Sequence, residues 1–338
     1  MVSIITPSFN SAPYIDETYR SVLGQTDPDW EWIIVDDGST DDTEKIALQF
    51  AASDSRIRFF KRTEMPKGAT TCRNQGVRLC QGDYLIFLDT DDVLASFCIE
   101  QRANQFQLHP ENDFLVFQMM LFNEQIDDLK LLWNLEDGRD DLERAIRLNP
   151  VMAGSSTIWK KESFMKVGMW DEKILINQDI ELHIRALTSG MKYVLLLQLP
   201  PDLFVRNNQQ SISRAKKKSI EKQRSRVYYF NRIVNHLKTN QLTERYQQAL
   251  GWLFLKLFFD LSFDRNHEVA AELFQENKSI VQNLSPVYRF ICLAIHRAGN
   301  MGFVLVSILR FANRMNIFLT SKNQPTFGRK KHEGPLKK

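Results

Sequence analysis

The chain has 338 residues, 43% of them hydrophobic and 25% charged, which is typical of a soluble globular protein with a sizeable core. This length fits one large domain or two domains of ordinary size. The formal net charge of +3 is too small to indicate nucleic-acid or membrane binding by itself, and we predict no nucleic-acid partner.

The first hundred residues alternate strand-like and helix-like segments. Strands are predicted in VSIITPSFN, DWEWIIVDD, IRFFKR and YLIFLD, and helices in SAPYIDETYRSVLGQ, DDTEKIALQFAA, GATTCRNQGVRLCQG and CIEQRANQFQL. Apolar runs separated by helical segments at this spacing imply βαβ units. The sequence therefore predicts an α/β fold with a mostly parallel central sheet and flanking helices.

The regular alternation weakens after residue 110, and the last third is almost wholly helical. DFLVFQMMLFN and YVLLLQL are strand-like, DIELHIRALTSG is helix-like, and YQQALGWLFLKLFFDLSF is a strongly apolar helix. We predict a catalytic domain over residues 1–213, a helical C-terminal region over 214–320, and a basic disordered tail over 321–338.

Basic residues are concentrated late in the chain. Between Arg214 and Arg232, eight Lys or Arg residues face a single acid, Glu221. This asymmetry indicates an anionic partner or membrane surface, although a solvated helix face followed by a disordered tail explains it equally well. The apolar stretch that begins at Ile291 is interrupted by His296 and Arg297, so it falls short of the roughly 20 residues of a spanning helix. A buried hairpin and a helix on a membrane surface both remain open.

The cysteines and the N-terminus favour a cytosolic protein. Cys72, Cys80, Cys98 and Cys292 form neither CxxC pairs nor clusters with His, so we predict reduced core thiols. The first residues do not fit a signal peptide, because Pro7 interrupts a short apolar run. The predicted location is the cytoplasm, with attachment to the inner face of the cell membrane as an open alternative.

Acidic residues follow two of the predicted strands. Asp36 and Asp37 end the second strand, and Asp89, Asp91 and Asp92 end the fourth. In an open parallel sheet these strand ends share one rim, where ligands bind. Carboxylates this close need a cation to offset their repulsion, and a hard divalent ion with oxygen ligands fits.

Four segments resemble, in order and spacing, successive blocks of the family 2 glycosyltransferases, which have the GT-A fold of nucleotide-diphospho-sugar transferases. They are VSIITPSFN, WIIVDDGSTDDT, RNQGVRLCQGDYLIFLDTDD and GMWDEKILINQDIELHIRAL. The resemblance runs from about Val2 to Ser213. It implies an inverting transferase that moves a sugar from a nucleotide-sugar donor to a glycan or lipid-linked acceptor.

The resemblance also implies roles for the acids and for the donor pocket. Asp91 is the best candidate ligand for Mg²⁺ or Mn²⁺, Asp89 contacts the ribose or the metal, and Asp92 is auxiliary. Thr6, Pro7 and Phe9 would line the pocket for the nucleobase. Asp37 would accept a hydrogen bond from the N–H group of the nucleobase, and Arg73 would lie close to the nucleotide. Lys67 is a weaker candidate for a phosphate contact.

On the acceptor side, the resemblance makes Asp179 the catalytic base. Gln178 stands where the family usually has Glu, which leaves the acceptor contact of that Glu in doubt. The helix dipole is expected to keep the pKa of Asp179 low. Gly154 and Ser155 resemble the segment that faces the acceptor. Trp170 is a candidate sugar platform, although a core tryptophan is the stronger interpretation.

The segment FVRNNQQSIS resembles the flexible loop that closes over the donor. Arg206, Ser211 and Ser213 match the family pattern, whereas Val205 replaces an aromatic residue and Asn208 replaces a histidine. The second replacement suggests that one metal or phosphate contact is lost.

We therefore predict a glycosyltransferase that uses a UDP-sugar and acts in cell-surface polysaccharide or glycolipid synthesis. Two alternatives remain. A sugar nucleotidyltransferase would share the sheet and the acids, but it normally has a glycine-rich phosphate loop that ITPSFNSAPYI lacks. A non-catalytic relative that binds nucleotide sugars is left open by Gln178 and Asn208.

Overall fold

The computed structural model describes residues 1–207, 219–299 and 330–331. The strands, in chain order, are β1 (Val2–Ser8), β2 (Trp30–Asp36), β3 (Ile57–Lys61), β4 (Tyr84–Phe87), β5 (Val93–Leu94), β6 (Phe114–Phe117), β7 (Met119–Phe122), β8 (Leu131–Leu132), β9 (Thr157–Lys160), β10 (Tyr193–Leu196), β11 (Leu203–Arg206) and β12 (Lys330–Lys331). The helices are α1 (Ile15–Leu23), α2 (Thr43–Ser53), α3 (Ala69–Leu79), α4 (Cys98–Leu108), α5 (Asp141–Ile146), α6 (Lys161–Lys166), α7 (Gln178–Thr188), α8 (Ile220–Thr239), α9 (Gln247–Phe263), α10 (His267–Glu276), α11 (Lys278–Gln282) and α12 (Pro286–Ala298).

The larger sheet has the strand order β10-β6-β9-β4-β1-β2-β3. Its strands are parallel except for β9, which runs antiparallel to both β4 and β6. All seven residues of β2 are buried, as its apolar sequence predicts for a strand covered on both faces. The prediction of an α/β fold with a mostly parallel sheet is confirmed.

Strand register brings the predicted rim together. Ser8 at the end of β1 pairs with Asp36 at the end of β2. On the other side of β1, Ile5 pairs with Phe87, and its carbonyl accepts the Leu88 N–H at 3.0 Å. The chain that leaves β4 therefore enters the acidic segment beside the carboxyl ends of β1 and β2.

The run DFLVFQMMLFN forms two strands, β6 and β7, which belong to different sheets. Gln118 separates them, and the buried Asn134 holds the break. The Asn134 side chain accepts the Met119 N–H at 2.8 Å and donates to the Phe117 carbonyl at 2.7 Å. The smaller sheet, in the order β12-β8-β7-β11-β5, lies next to the rim because β5 and β11 flank the acidic segment.

The C-terminal helices share one hydrophobic core with α5 and α7. This core includes Ile146 of α5, Ile184 of α7, Phe230 of α8, Leu253 of α9 and Leu273 of α10, each fully buried. Burying such a side chain contributes about 1.5–3 kcal/mol. No helix among the described residues is long and apolar enough to cross a membrane.

Several sequence predictions fall on residues that the structure does not describe. These include the domain boundary at residue 213 and most of the basic tail, of which only Lys330–Lys331 is described, as β12 paired with β8. All four cysteines are buried and free, as predicted.

Candidate functional site

The acidic segment after β4 forms a tight turn. The Asp92 N–H donates to the Asp89 carbonyl at 3.2 Å, and the Asp92 carboxylate accepts the Arg206 N–H at 3.1 Å. The Asp89 side chain is 47% exposed, Asp91 is half-buried, and Asp92 is buried. The three carboxyl groups therefore run from the open rim into the protein.

The electrostatics of this segment fit a cation site. Burial, and then the charge of Asp89, raise the pKa of Asp91 to about 6, because backbone hydrogen bonding and Arg206 only partly offset them. Burial and the charges of Asp91 and Asp89 likewise raise the pKa of Asp92. In the described part of the chain, no group of three or more His, Cys, Asp or Glu side chains is arranged to hold a metal ion by itself. Because Mg²⁺ commonly takes one or two carboxylates and completes its shell with substrate phosphates, these acids still fit it.

The two acids after β2 have different environments. Asp36 accepts hydrogen bonds from the Gly38 and Ser39 N–H groups, at 2.9 and 2.8 Å, so it organises the turn. Asp37, the predicted partner of the base, accepts from Arg62 Nε at 2.6 Å and from the Gly68 N–H at 3.2 Å, both through Oδ1. These contacts fix the Asp37 carboxylate at the rim.

Sequence reasoning missed Arg62, although a signal for it exists. Parallel pairing of β2 with β3 sets Asp36 opposite Lys61. Asp37 and Arg62 are the residues that follow the two strands, so the register alone brings this ion pair together.

The predicted base pocket divides into a buried part and an open part. Thr6 is fully buried, and its hydroxyl accepts from Trp32 Nε1 at 2.8 Å, so its side chain packs into the core. Pro7 and Phe9 are partly exposed. The ammonium group of the exposed Lys67 lies 4.3 Å from the centre of the Phe9 ring. Phe9 and Lys67 therefore form the solvent-facing edge of this pocket.

Arg73 links the acids to the acceptor side. Its Nη2 donates to Asp89 at 2.6 Å, and its Nη1 donates to Gln178 Oε1 at 3.4 Å. Its guanidinium also lies 5.0 Å from the centre of the Trp170 ring. One arginine on α3 thus spans from the predicted metal site to the first residue of α7.

Asp179 lies in the first turn of α7, and its Oδ1 accepts the Ile180 N–H at 3.0 Å. Burial raises the pKa of Asp179, although that hydrogen bond and the charge of Arg73 act in the opposite direction. The expectation of a low pKa from the helix dipole is therefore wrong, because desolvation outweighs the dipole at this site. A raised pKa makes the carboxylate a stronger base.

His183 and Arg185, on the same helix as Asp179, make structural contacts. His183 is fully buried, bonds the Asp179 carbonyl at 2.7 Å, and has its pKa lowered to about 4 by burial. Arg185 forms a buried ion pair with Glu181 at 2.8 Å.

The predicted acceptor segment lies against Trp170 and Asp179. A Cβ atom at Gly154 would lie 2.9 Å from the Trp170 ring and 3.9 Å from Asp179 Cβ, so only glycine permits this approach. The Ser155 carbonyl accepts from the buried Arg102 at 3.0 Å. Trp170 is buried, with Phe87 packed edge-on at 5.1 Å, which makes it a core tryptophan.

Arg206 closes the far side of the acidic segment. Its Nε donates to the Asp91 carbonyl at 3.2 Å, its Nη1 donates to the Asn123 carbonyl at 3.0 Å, and it forms an ion pair with Glu17. Asn208, Ser211 and Ser213 of the predicted donor loop lie outside the described residues.

Comparison with protein families gives a match over about half of the chain. The model described as "Glycosyl transferase family 2" matches residues 3–168. This range includes the acids after β2 and β4 and ends before α7.

Two curated bacterial proteins match shorter segments. The "Putative teichuronic acid biosynthesis glycosyltransferase TuaG" of Bacillus subtilis is 48% identical over 92 residues, which are 27% of this chain and 36% of that protein. The "UDP-Glc:alpha-D-GlcNAc-diphosphoundecaprenol beta-1,3-glucosyltransferase WfgD" of Escherichia coli is 42% identical over 104 residues, 31% of this chain and 40% of that protein. The matched segments thus span less than half the length of either relative.

The structural likeness extends over nearly the whole chain. The crystal structure of residues 1–349 of TarS from S. aureus, in complex with UDP-GlcNAc, has a TM-score of 0.68 at 16% sequence identity. The likeness covers 98% of this chain and 97% of that one. At this identity it shows the fold alone, and the predicted GT-A fold with its C-terminal helices is confirmed.

Proposed function

Because the chain belongs to the family 2 glycosyltransferases, we propose that it transfers a sugar from a UDP-sugar to a hydroxyl acceptor with inversion at the anomeric carbon. The observation that carries this proposal is the Arg73 bridge. It connects Asp89 of the acidic segment with Gln178, next to Asp179. In this proposal the donor-side acids and the acceptor-side base lie at the two ends of Arg73, which supports transfer between two neighbouring substrates.

On the donor side, Asp91 with Asp89 and Asp92 would hold Mg²⁺ or Mn²⁺, which supplies a Lewis acid for the charge that develops on the departing diphosphate. The raised pKa of Asp91 and of Asp92 supports this, since the cations of the chain do not neutralise them. Asp37 would orient the nucleobase of the donor by accepting a hydrogen bond from its N–H group. The UDP-GlcNAc complex named for TarS supports a uridine donor by analogy of fold.

On the acceptor side, Asp179 would accept the proton of the acceptor hydroxyl as its oxygen attacks the anomeric carbon. The same arrangement activates water in inverting glycosidases. A base of this kind is worth about 10²–10⁴-fold in rate. Because the pKa of Asp179 is raised, the rate should fall as the pH is lowered. The midpoint of this fall should lie above the usual pKa of an aspartate.

The acceptor is proposed to be a glycan or a lipid-linked sugar in cell-surface polysaccharide or glycolipid synthesis. The names of two relatives, which refer to teichuronic acid and to a diphosphoundecaprenol acceptor, support this class. Attachment to an anionic membrane surface is proposed with it, since α12 exposes Phe290 at 72% and Val287 at 59% beside Arg289. Sedimentation with phosphatidylglycerol liposomes at low salt tests the attachment, and protein that stays in the supernatant contradicts it.

The test of the function has a binding arm and a turnover arm. Thermal unfolding is measured with UDP, UDP-glucose and UDP-GlcNAc, with and without Mn²⁺, because a ligand at about 100 times its Kd stabilises by roughly 2.7 kcal/mol. Release of UDP is then compared for the wild type and Asp179→Asn. The matched control is Asp16→Asn, which changes an exposed first-turn aspartate of α1.

We expect Mn²⁺-dependent stabilisation in all three proteins and loss of turnover, by about 10²–10⁴-fold, only in Asp179→Asn. Full turnover in Asp179→Asn would show that another group is the base. If no nucleoside diphosphate or nucleotide sugar binds with either metal condition, the enzyme assignment fails. Synthesis of a nucleotide sugar from UTP and a sugar phosphate would instead identify a nucleotidyltransferase.

A further inference from the structure

Helix α8 lies along α7, the helix that carries Asp179, and both helices lie beyond residue 168, where the family match ends. Three groups of contacts join α8 to α7 and to the loop before it. We call this set of contacts the α7–α8 seam. Its polar members are Asp171, Leu175 and Glu181 on one side and Ser225, Tyr228, Arg232 and His236 on the other.

The first group holds the loop that follows Trp170. The Tyr228 hydroxyl donates to Asp171 Oδ2 at 3.0 Å, and Arg232 Nε lies 3.2 Å from the same oxygen. The Ser225 hydroxyl accepts the Leu175 N–H at 2.8 Å. The loop between Trp170 and α7 is therefore fixed at two points by one face of α8.

The second group surrounds Glu181, which is one residue beyond Ile180 in the first turn of α7 and is fully buried. It pairs with Arg185 at 2.8 Å, with His236 at 3.3 Å and with Arg232 at 3.7 Å. Burial alone would raise the pKa of Glu181, but these hydrogen bonds and charges together lower it to about 2. Arg232 thus contacts both the loop and the base helix.

The third group is apolar and lies beneath Asp179. Ile180 and Ile184 of α7 pack in one core with Tyr229 and Ile233 of α8. Tyr229 is fully buried, and its hydroxyl has no hydrogen-bond partner among the described residues. Its pKa is raised by burial and then by the carboxylates of Asp179 and Glu181. Packing against α8 leaves the first turn of α7 little room to shift.

We infer that α8 is a positioning element of the transfer site, and that Arg232, through Asp171 and Glu181, holds Asp179 at a fixed place relative to the donor. This inference rests on the proposed function. Arg232 pairs with Asp171, which follows Trp170 in the chain. The Trp170 ring lies 5.0 Å from the Arg73 guanidinium, and Arg73 bonds Asp89. Displacement of a reacting group by about 1 Å costs on the order of 10²-fold in rate, so the seam affects turnover without touching substrate.

The kinetic arm compares Arg232→Gln and Arg232→Lys with Arg224→Gln. Arg224 lies on the same helix but forms exposed ion pairs with Glu268 and Glu272 on α10. We expect kcat for UDP release from UDP-GlcNAc or UDP-glucose to fall at least about tenfold in Arg232→Gln, with the donor KM within about twofold. Arg232→Lys should recover part of kcat, and Arg224→Gln should match the wild type.

A lower Tm with unchanged kcat in Arg232→Gln would show that the seam only stabilises the fold, and this outcome overturns the inference. A parallel loss of donor affinity overturns it too, because the fault would then lie in binding rather than in the position of the base. The hydroxyl-only change Tyr228→Phe should fold well and repeat the kcat defect in weaker form.

A structural arm separates failure of this inference from failure of the proposed function. Hydrogen–deuterium exchange of the peptide covering residues 169–182 is measured in the same proteins without substrate. We expect faster exchange in Arg232→Gln and wild-type exchange in Arg224→Gln. If the wild type releases no UDP from any donor, the proposed function fails while this arm still decides on the seam. Equal exchange in all variants contradicts positioning by α8.

Discussion

Asp91 and Asp92, after β4, and Glu181 of the α7–α8 seam are partly or fully buried carboxylates in opposite electrostatic surroundings. Burial and the charge of Asp89 raise the pKa of Asp91 to about 6. Burial acts on Glu181 in the same direction, yet His236, Arg185 and Arg232 lower its pKa to about 2. Desolvation is the largest single influence in both places, so the hydrogen-bond donors and cations around each carboxylate decide the difference.

Glu181 and the acids after β4 differ in whether the fold compensates their charge. The Glu181 charge is compensated within the fold, as a buried ion network must be if it is not to destabilise the protein. The charges of Asp91 and Asp92 are left for something else to compensate. Uncompensated carboxylates at the rim of a sheet are expected where a metal and a diphosphate complete the site.

The largest expected effect concerns the acidic segment. Asp91→Asn removes a carboxylate of the proposed metal site, so we expect UDP release to fall by about 10³-fold or more, since metal stabilisation is worth several kcal/mol. Without metal, the same variant should be more stable than the wild type, because one repulsive charge is gone. Turnover and thermal unfolding, measured on one preparation, check the expected loss of activity and the expected gain in stability. Asp16→Asn is the control, and lower stability without metal would contradict the comparison.

Glu181→Gln tests the opposite side. Removing this charge leaves Arg185 without its carboxylate partner and Arg232 with only Asp171. We expect the free energy of unfolding to fall by about 3–5 kcal/mol, measured by urea denaturation. The matched control Glu268→Gln breaks an exposed pair and should cost less than about 1 kcal/mol. Equal costs in the two variants would show that the seam network contributes nothing special.

The pH dependence of stability sharpens the same contrast. A carboxylate whose pKa is lower in the folded state stabilises the protein above its unfolded pKa, and this stability is lost as the pH falls. For Glu181 the loss extends from about pH 4.5 to about pH 2 and amounts to roughly 3 kcal/mol. Across this range the free energy of unfolding, obtained from denaturation curves at each pH, should change less with pH in Glu181→Gln than in the wild type. Parallel curves would contradict the assignment.

The smallest expected effect on stability is that of Arg73→Gln. Its partner Asp89 is 47% exposed, so solvent screens the pair and its loss should cost less than about 1 kcal/mol. UDP affinity in the presence of Mn²⁺, measured by calorimetry, should nevertheless weaken. Arg78→Gln, on the same helix and in an exposed pair with Glu64, should leave that affinity unchanged. A large loss of stability in Arg73→Gln would show that Arg73 mainly stabilises the fold, as Arg185 does.

Much of the site could be predicted from local sequence because its residues follow the ends of apolar strands. VSIITPS, WEWIIVD and YLIF form strands whose carboxyl ends meet, so Asp37, Asp89 and Asp91 share one rim as expected. The break at Gln118 could not be predicted, since the run around it is apolar on both sides. The buried Asn134, sixteen residues later, holds that break.

The sequence by itself determined which polar side chains follow the end of each strand, and at what spacing. Only the tertiary structure decided their charge states and supports. Burial raised the pKa of Asp179 against the helix dipole, β-sheet register paired Asp37 with Arg62, and packing set Arg232 of α8 against Asp171 and Glu181. Desolvation and long-range pairing depend on what surrounds a group in space. Arg232 and its partners Asp171 and Glu181 are fifty or more positions apart, so no local pattern predicts their pairing.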